Sequence, residues 1–222
     1  MLHTPHLDVV YEKELTQVAR HLDEMADLAE AMVRDAALAL LSRDERLAAE
    51  VIASDERLDD LEIAADHLCV ALMAKRAPVG RDLRLCTATL KMVTDLERIG
   101  DLAVNIVRRV GDLGEPPLPD EVASLAKSVV EELGIALRAL RSRDAALARR
   151  LRDHDADTDE YNRAAFQRVI GMAEAQSKPG FEKLLATTSV CRHLERIGDH
   201  SVNLAEMVVY LVEGQTLRHQ PG

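Results

Sequence analysis

Apolar residues recur at alternating steps of three and four along most of the chain, the pattern of helices that bury one face in a bundle. Leu96, Ile99, Ala103, Ile106 and Val110 follow one another in this way. Short polar, Gly- or Pro-containing stretches separate six such segments. We therefore predict helices near residues 7–42, 44–76, 80–110, 119–142, 144–176 and 180–213.

The chain contains an internal repeat. A shift of 100 residues aligns 39–48 with 139–148, and both stretches contain Ser-Arg-Asp. A shift of 98 residues aligns 96–105 with 194–203, where eight of ten residues are identical. A match this dense at a fixed spacing indicates the tandem duplication of a unit of about 100 residues.

The duplication predicts the architecture, because each half holds three of the six predicted helices. We predict an all-α fold of two tandem, pseudo-symmetric three-helix bundles. The Gly- and Pro-rich stretch 111–119 separates them, and we assign residues 1–112 to the first repeat and 113–222 to the second. Only 2% of the residues are aromatic, and 10 glycines and 7 prolines leave little room for the strands and turns of an all-β protein.

Charge narrows the possible partners. The 39 acidic and 28 basic residues give a net charge of −11, which argues against nucleic acids and anionic membrane surfaces as partners. No apolar run is long enough for direct membrane insertion, and no secretory signal pattern opens the chain. Three cysteines, Cys69, Cys86 and Cys191, lie in apolar helical patterns, which indicates reduced core residues of a cytoplasmic protein.

Paired carboxylates stand in the repeated decapeptide. Glu97 and Asp101 are four residues apart, at outward positions of the predicted third helix, and Glu195 and Asp199 repeat the pair. Like charges at this spacing repel each other. A bound cation would convert the repulsion into attraction, since carboxylate oxygens are ligands of hard cations.

The helix before each motif adds a second pair of carboxylates. Asp55 and Asp59 precede the first motif, and Asp155 and Asp159 precede the second. Adjacent helices could then present four carboxylates on one surface of each bundle, which predicts two metal sites. The alternative is that these residues are solvated surface acids, as is usual for outward helix positions.

Other residues near the motifs have structural explanations. Gly100 and Gly198 lie at equivalent places inside predicted helices. Because glycine in a helix interior costs stability, its presence in both repeats favours close packing against another helix. Arg98 is expected to pair with the neighbouring acids, and His193 and His200 are expected at the surface or an interface. The sequence contains no phosphate-binding loop, nucleophile motif or di-iron ligand pattern, so we expect no enzyme activity.

The repeated Leu-Glu-Arg-Ile-Gly-Asp at 96–101 and 194–199 resembles the signature of the PhoU family of phosphate-transport regulators. The segments 74–84 and 199–206 resemble the same family, and the resemblance runs from about residue 11 to residue 214. It implies a fold of two similar three-helix bundles.

The resemblance also implies a function. PhoU-like proteins are cytoplasmic negative regulators of phosphate uptake and of phosphate-starvation genes. They resemble adaptors that contact the ATPase subunit of a phosphate ABC transporter and a PAS-containing sensor histidine kinase. Their acidic motifs are associated with metal ions, divalent or iron, and we expect a homodimer. Carried over to this sequence, the metal-binding residues are Glu97, Asp101, Glu195, Asp199, Asp55, Asp59, Asp155 and Asp159.

Two departures from the family pattern stand out. Gly80 replaces the usual Ala and is expected to loosen the start of the third helix, and the second half has no Asp-Leu-Arg segment equivalent to 82–84. The two bundles are therefore not assumed to bind partners equally. Two other functions stay open: a metal-dependent helical-bundle enzyme, and a purely structural helical interaction module.

Overall fold

A computed structural model of the chain describes residues 9–114, 118–175 and 181–215. These residues form six α-helices and a short 3-10 helix, and they contain no β-strand. The helices are α1 (Val9–Ser42), α2 (Glu45–Arg76), α3 (Gly80–Val107), α4 (Asp120–Ser142), α5 (Ala145–Ala175) and α6 (Phe181–Glu213). Helices α1–α3 pack together as one bundle and α4–α6 as another, so the predicted fold class is confirmed.

The helix ends agree closely with the sequence pattern, with one difference. Helix α3 ends at Val107, and the chain then passes through a turn into the 3-10 helix Gly111–Leu113. Val110 is nevertheless buried, so the apolar spacing continues past the end of the α-helix. The predicted helical residues 7, 8, 176 and 180 lie outside the described residues.

The repeated Ser-Arg-Asp forms the turn between the first two helices of each bundle. Arg43 and Arg143 adopt positive φ angles of 59° and 50°, which reverse the chain after α1 and α4. The carboxylate of Asp44 then accepts a hydrogen bond from the backbone N–H of Leu47 at 3.0 Å, and Asp144 does the same in the second bundle. Each aspartate therefore caps the helix that follows it.

The two bundles share a continuous apolar core, in which α3 packs on α6 and α1 on α4. Polar contacts join the same helix pairs. Arg141 Nη2 donates to Asp27 Oδ1 at 2.6 Å and to Glu30 Oε2 at 2.8 Å. His200 Nδ1 lies 2.8 Å from Asp95 Oδ1, which confirms the expected interface position of this histidine. The exact boundary between the two repeats stays a prediction.

The structure explains why glycine occupies two positions of the first bundle. A Cβ atom at Gly100 would lie 2.2 Å from Leu58 Cδ2 and 3.5 Å from Met32 Cε, so α3 approaches α1 and α2 closely here, as predicted. Gly80 has a φ of +57°, a conformation that favours glycine. Alanine at this position would be strained, so Gly80 suits the start of α3.

The three cysteines are free and buried, as predicted. Cys69 and Cys86 lie together in a small apolar cluster of the first bundle with Leu15, Val18 and Leu72. Of the described helices, none is both long enough and apolar enough to cross a membrane.

Candidate metal-binding surface

Four carboxylates of the first bundle lie on two neighbouring helices: Asp55 and Asp59 on α2, and Glu97 and Asp101 on α3. We call them the first acidic group. The side chain of Glu97 is only 16% exposed, whereas that of Asp101 is 44% exposed. Asp55 is half-buried and Asp59 is exposed. Glu97 is therefore more covered than its outward position on an isolated helix suggests, because α2 packs beside α3.

Electrostatic effects show that these carboxylates are close to one another. Burial, followed by the charges of Asp59 and Asp101, raises the pKa of Asp55. Burial, followed by the charge of Asp101, raises the pKa of Glu97, and Asp59 adds a smaller increase. Burial and the neighbouring acid of the same helix cause most of each increase, and a smaller part comes from the facing helix, through Asp101 for Asp55 and through Asp59 for Glu97. The structure therefore brings the four predicted residues together.

Arg98 partly compensates the charge of the first acidic group. Its guanidinium lies 3.3 Å from Glu97 Oε2 and 3.3 Å from Asp101 Oδ2, as predicted. The arginine side chain is 52% exposed, so each ion pair contributes little to stability, about 0–1 kcal/mol. The first acidic group consequently keeps an excess of negative charge.

The second bundle repeats the arrangement with Asp155 and Asp159 on α5 and Glu195 and Asp199 on α6, which we call the second acidic group. Burial, followed by the charges of Asp159 and Asp199, raises the pKa of Asp155. Asp159 and Asp199 are exposed, and Asp155 and Glu195 are half-buried. Carboxylates of α5 and α6 therefore face each other at this surface.

The chemistry of both groups fits a hard cation, because oxygen ligands from two helices share an excess of negative charge. As placed, however, no three carboxylate, imidazole or thiol side chains among the described residues are arranged to hold a metal ion. Binding would require side-chain rotation to bring the oxygens onto one ion. Metal binding by the eight residues stays a prediction.

The histidines near the second acidic group have other partners. His193 Nε2 lies 3.1 Å from Ser189 Oγ, one turn earlier on α6. His200 contacts Asp95 of α3, as described above. Both histidines therefore have structural roles at helix surfaces and interfaces, as expected from the sequence.

The segment 74–84, which contains the end of α2, the connection and the start of α3, is held to α1 by polar contacts. Lys75 Nζ and Arg76 Nε donate to the two carboxylate oxygens of Glu14, each at 2.8 Å. The hydroxyl of Tyr11 donates to Asp82 Oδ2 at 3.0 Å, and burial with this contact raises the pKa of Tyr11 to about 12. These charged residues position the connection between α2 and α3.

Sequence reasoning missed one buried acid, Glu132 of α4. It has no exposed surface, and burial raises its pKa to about 7. Thr158 and His154 lower the pKa by smaller amounts, and Asp155 and Asp199 raise it further. The repeat itself carried the signal, since a shift of 100 residues places the charged Glu132 on an apolar residue, Met32.

The sequence model of a known protein family matches the chain twice. The model of the PhoU domain covers residues 22–110 and 122–208, which together include most of both bundles. The chain belongs to the PhoU family. One match lies in each of the two bundles.

Similar proteins cover nearly the whole chain. A phosphate-specific transport system accessory protein PhoU homolog of Pseudomonas putida is 38% identical over 97% of this chain and 86% of its own. The homolog of Pseudomonas aeruginosa is also 38% identical, over 97% of this chain and 90% of its own. Sequence similarity alone therefore establishes that the chain is a member of the PhoU family.

Solved structures of PhoU proteins share the fold. The crystal structure of PhoU from Pseudomonas aeruginosa has a TM-score of 0.87 and 36% identity, and covers 92% of this chain and 100% of that chain. The phosphate transport system regulatory protein PhoU from Streptococcus pneumoniae has a TM-score of 0.85 and 26% identity, and covers 94% and 100%. The pair of three-helix bundles is thus a PhoU-family fold.

Proposed function

We propose that this protein is a cytoplasmic negative regulator of phosphate uptake and of the phosphate-starvation response. The observation that carries the proposal is the match of 97% of the chain to proteins named as accessory proteins of the phosphate-specific transport system. Two PhoU domains match the chain, one in each bundle. Its place is then in the phosphate transport system.

In this proposal the protein is an adaptor and has no enzyme activity. Its relatives are named accessory or regulatory proteins. The expected partners are the ATPase subunit of a phosphate ABC transporter and a PAS-containing sensor histidine kinase. An adaptor needs two surfaces held at a fixed distance, and two bundles joined by a continuous core provide a rigid body for that role.

The proposed adaptor binds metal ions through the two acidic groups. Support comes from the paired carboxylates on adjacent helices and from the raised pKa values of Asp55, Glu97 and Asp155, which reflect burial and mutual repulsion. A divalent or iron cation would remove that repulsion. The bound ions would then change the surface charge that partners meet.

A reporter of phosphate-starvation genes tests the regulatory role in cells. Deletion of the gene should switch the reporter on in phosphate-rich medium, and the wild-type gene should restore repression. The double variant Asp101→Asn/Asp199→Asn should restore it poorly. Asp66→Asn/Asp153→Asn, which changes the same charge at exposed positions of α2 and α5, is the matched control and should repress normally. A reporter that stays off after deletion would contradict the proposed function.

Binding to the transporter tests the adaptor role directly. The purified protein should retain the ATPase subunit of the phosphate transporter in a pull-down, and a chelator should weaken the retention if the acidic groups carry cations. Retention that a chelator leaves unchanged would favour the purely structural interaction module. No retention in either condition would contradict an adaptor that works through this subunit.

We also propose that the protein is a homodimer. On α2, the side chains of Ile52, Ile63 and Val70 are 40%, 53% and 50% exposed. Spacings of 11 and 7 residues place the three on one side of the helix, where a partner helix could cover them. Sedimentation of wild-type protein should give a dimer and Ile63→Glu a monomer, and a monomeric wild type would contradict the proposal.

A further inference from the structure

The interiors of the two bundles differ at equivalent positions beside the acidic motif. In the first bundle the glycine of the motif, Gly100, is covered by Leu58 of α2 and Met32 of α1, at 2.2 and 3.5 Å from the position of a Cβ atom. Leu58 and Met32 are both buried. The first acidic group therefore lies over an apolar interior.

In the second bundle the same three positions hold Gly198, Thr158 and Glu132. Glu132 Oε2 lies 3.3 Å from the position of a Cβ atom at Gly198, so the carboxyl group rests against the backbone of the motif. Gly198 stands between Glu195 and Asp199 in the sequence of α6. The second acidic group therefore has a carboxyl group directly behind it.

No hydrogen bond of normal geometry reaches this carboxyl group in the described part of the chain, although Thr158 is close enough to lower its pKa. Both oxygens of Glu132 are buried and unpaired in the described part of the chain. The nearby hydroxyl of Thr158 already donates to the backbone carbonyl of His154 at 3.2 Å and lies 2.9 Å from Ser128 Oγ. The single proton of Thr158 therefore has acceptors other than Glu132 within reach. A buried carboxyl group without a partner requires an explanation, such as a bound ion or water.

The charged groups around Glu132 come from two other helices. Asp155 of α5 and Asp199 of α6 both act on its titration, and both belong to the second acidic group. His154 of α5 has the opposite effect and lowers the pKa of Glu132. Its Nε2 lies 3.2 Å from the backbone carbonyl oxygen of Ser128. The unpaired carboxyl group is thus next to acids on both neighbouring helices of its bundle.

The geometry points to an inner cation site in the second bundle only, in which Glu132 of α4 joins Asp155 of α5 and Asp199 of α6 as ligands of a hard divalent cation. The inference rests on the proposed metal binding by the second acidic group and adds a ligand from a third helix. Rotation about the side-chain bonds of Glu132 is needed to bring the oxygens together. The first bundle offers Met32 at that position, so its acidic group binds without an inner ligand.

The consequence is that the two acidic groups differ in cation affinity and in what the cation does. A cation at the second group would connect α4, α5 and α6, and so stabilise the whole bundle. A cation at the first group would connect only α2 and α3. A cation bound in the second bundle would therefore link the surface motif of α6 to the packing of α4 in the core.

Calorimetric titration with Mn²⁺ tests the inner site. The background variant Asp59→Asn/Asp101→Asn removes two carboxylate charges from the first acidic group, so that the titration measures Mn²⁺ binding by the second group. In that background Glu132→Gln should weaken Mn²⁺ binding by at least about tenfold. Asp153→Asn, an exposed acid on α5, should leave the affinity unchanged. Thermal unfolding with and without Mn²⁺ supplies a second readout, because the increase in Tm should shrink in Glu132→Gln.

A second variant guards against misfolding. Glu132→Met/Thr158→Leu recreates the interior of the first bundle, should fold with wild-type helical content, and should lose Mn²⁺ affinity as Glu132→Gln does. Wild-type affinity in both variants, with Asp199→Asn still weakening it, would overturn the inner site and leave the proposed metal binding intact. No effect of Asp199→Asn either would overturn both.

Discussion

At the residue scale, the two motif glycines meet different neighbours although the sequence around them is the same. Gly100 faces the end of a buried leucine, Leu58, whereas Gly198 faces the carboxylate of Glu132. The sequence predicted close packing at both, since an interior glycine costs helix stability. It could not predict which atoms the glycines meet, because those come from helices more than 40 residues away.

Substitution of each glycine by alanine should change the free energy of unfolding by different amounts at the two positions. Gly100→Ala places a Cβ atom 2.2 Å from Leu58 Cδ2, and overpacking costs of about 1–3 kcal/mol should outweigh the gain in helix propensity. Gly198→Ala meets Glu132 Oε2 at 3.3 Å and should stay within about 1 kcal/mol of wild type, because the propensity gain offsets a small shift. Chemical denaturation of both variants measures the difference. Equal losses would contradict the packing described here.

Glu132 should make stability depend on pH. Folding raises its pKa from 4.5 to about 7, so the folded protein holds more protons than the unfolded chain between these values. The free energy of unfolding should therefore fall as pH rises from about 4.5 to 7, by about 3 kcal/mol relative to Glu132→Gln, and stay level above pH 7.

Denaturation of wild type and Glu132→Gln across this range, with a chelator present, measures the difference. The glutamine variant is the control, because all other titrating groups are shared by the two proteins. A difference in unfolding free energy that stays constant with pH would show that Glu132 ionises normally in the folded state.

At the element scale, the helices follow from local sequence. Apolar spacing placed six helices with small errors at their ends, and the repeated Ser-Arg-Asp marked the same turn twice. The clearest difference is the end of α3, predicted at 110 and found at Val107. Val110 and Leu113 stay buried through the turn and the 3-10 helix, so the apolar pattern continues where the hydrogen-bonding pattern changes.

The N-terminal caps of α2 and α5 should each stabilise the bundle that contains them. Asp44 and Asp144 each accept a hydrogen bond from the N–H three residues later, and Asp144 also accepts one from Ala146 N at 2.9 Å. Asp44→Ala and Asp144→Ala should each lower the unfolding free energy by about 1 kcal/mol, with a similar or larger loss at Asp144. Thermal denaturation gives both values, with Asp153→Ala as a control at an exposed helix-interior position. Losses near zero would show that the turns are held by packing instead.

At the scale of the whole molecule, the repeat predicted two bundles but not how they join. The contacts between α3 and α6 and between α1 and α4 link residues about 100 positions apart, such as Asp95 and His200. A periodic pattern records which face of a helix is apolar, and not which helix covers it. The acidic residues were found because they are repeated, and Glu132 was missed because it is not.

Chelation should leave the folded molecule largely intact. The core consists of apolar residues from all six helices, and the acidic groups lie at its edge. Treatment with a chelator should therefore leave the helical circular dichroism signal unchanged and alter surface charge and association instead. Loss of the helical signal on chelation would mean that cations are needed for folding.

Elemental analysis of protein purified without a chelator measures directly whether the repeated acidic motifs bind cations. Wild type and the control Asp66→Asn/Asp153→Asn should carry the same number of bound divalent or iron ions. Asp101→Asn/Asp199→Asn, which removes one carboxylate charge from each acidic group, should lose most of them. Unchanged metal content in that variant, or none in the wild type, would contradict the claim that the repeated acidic motifs bind cations.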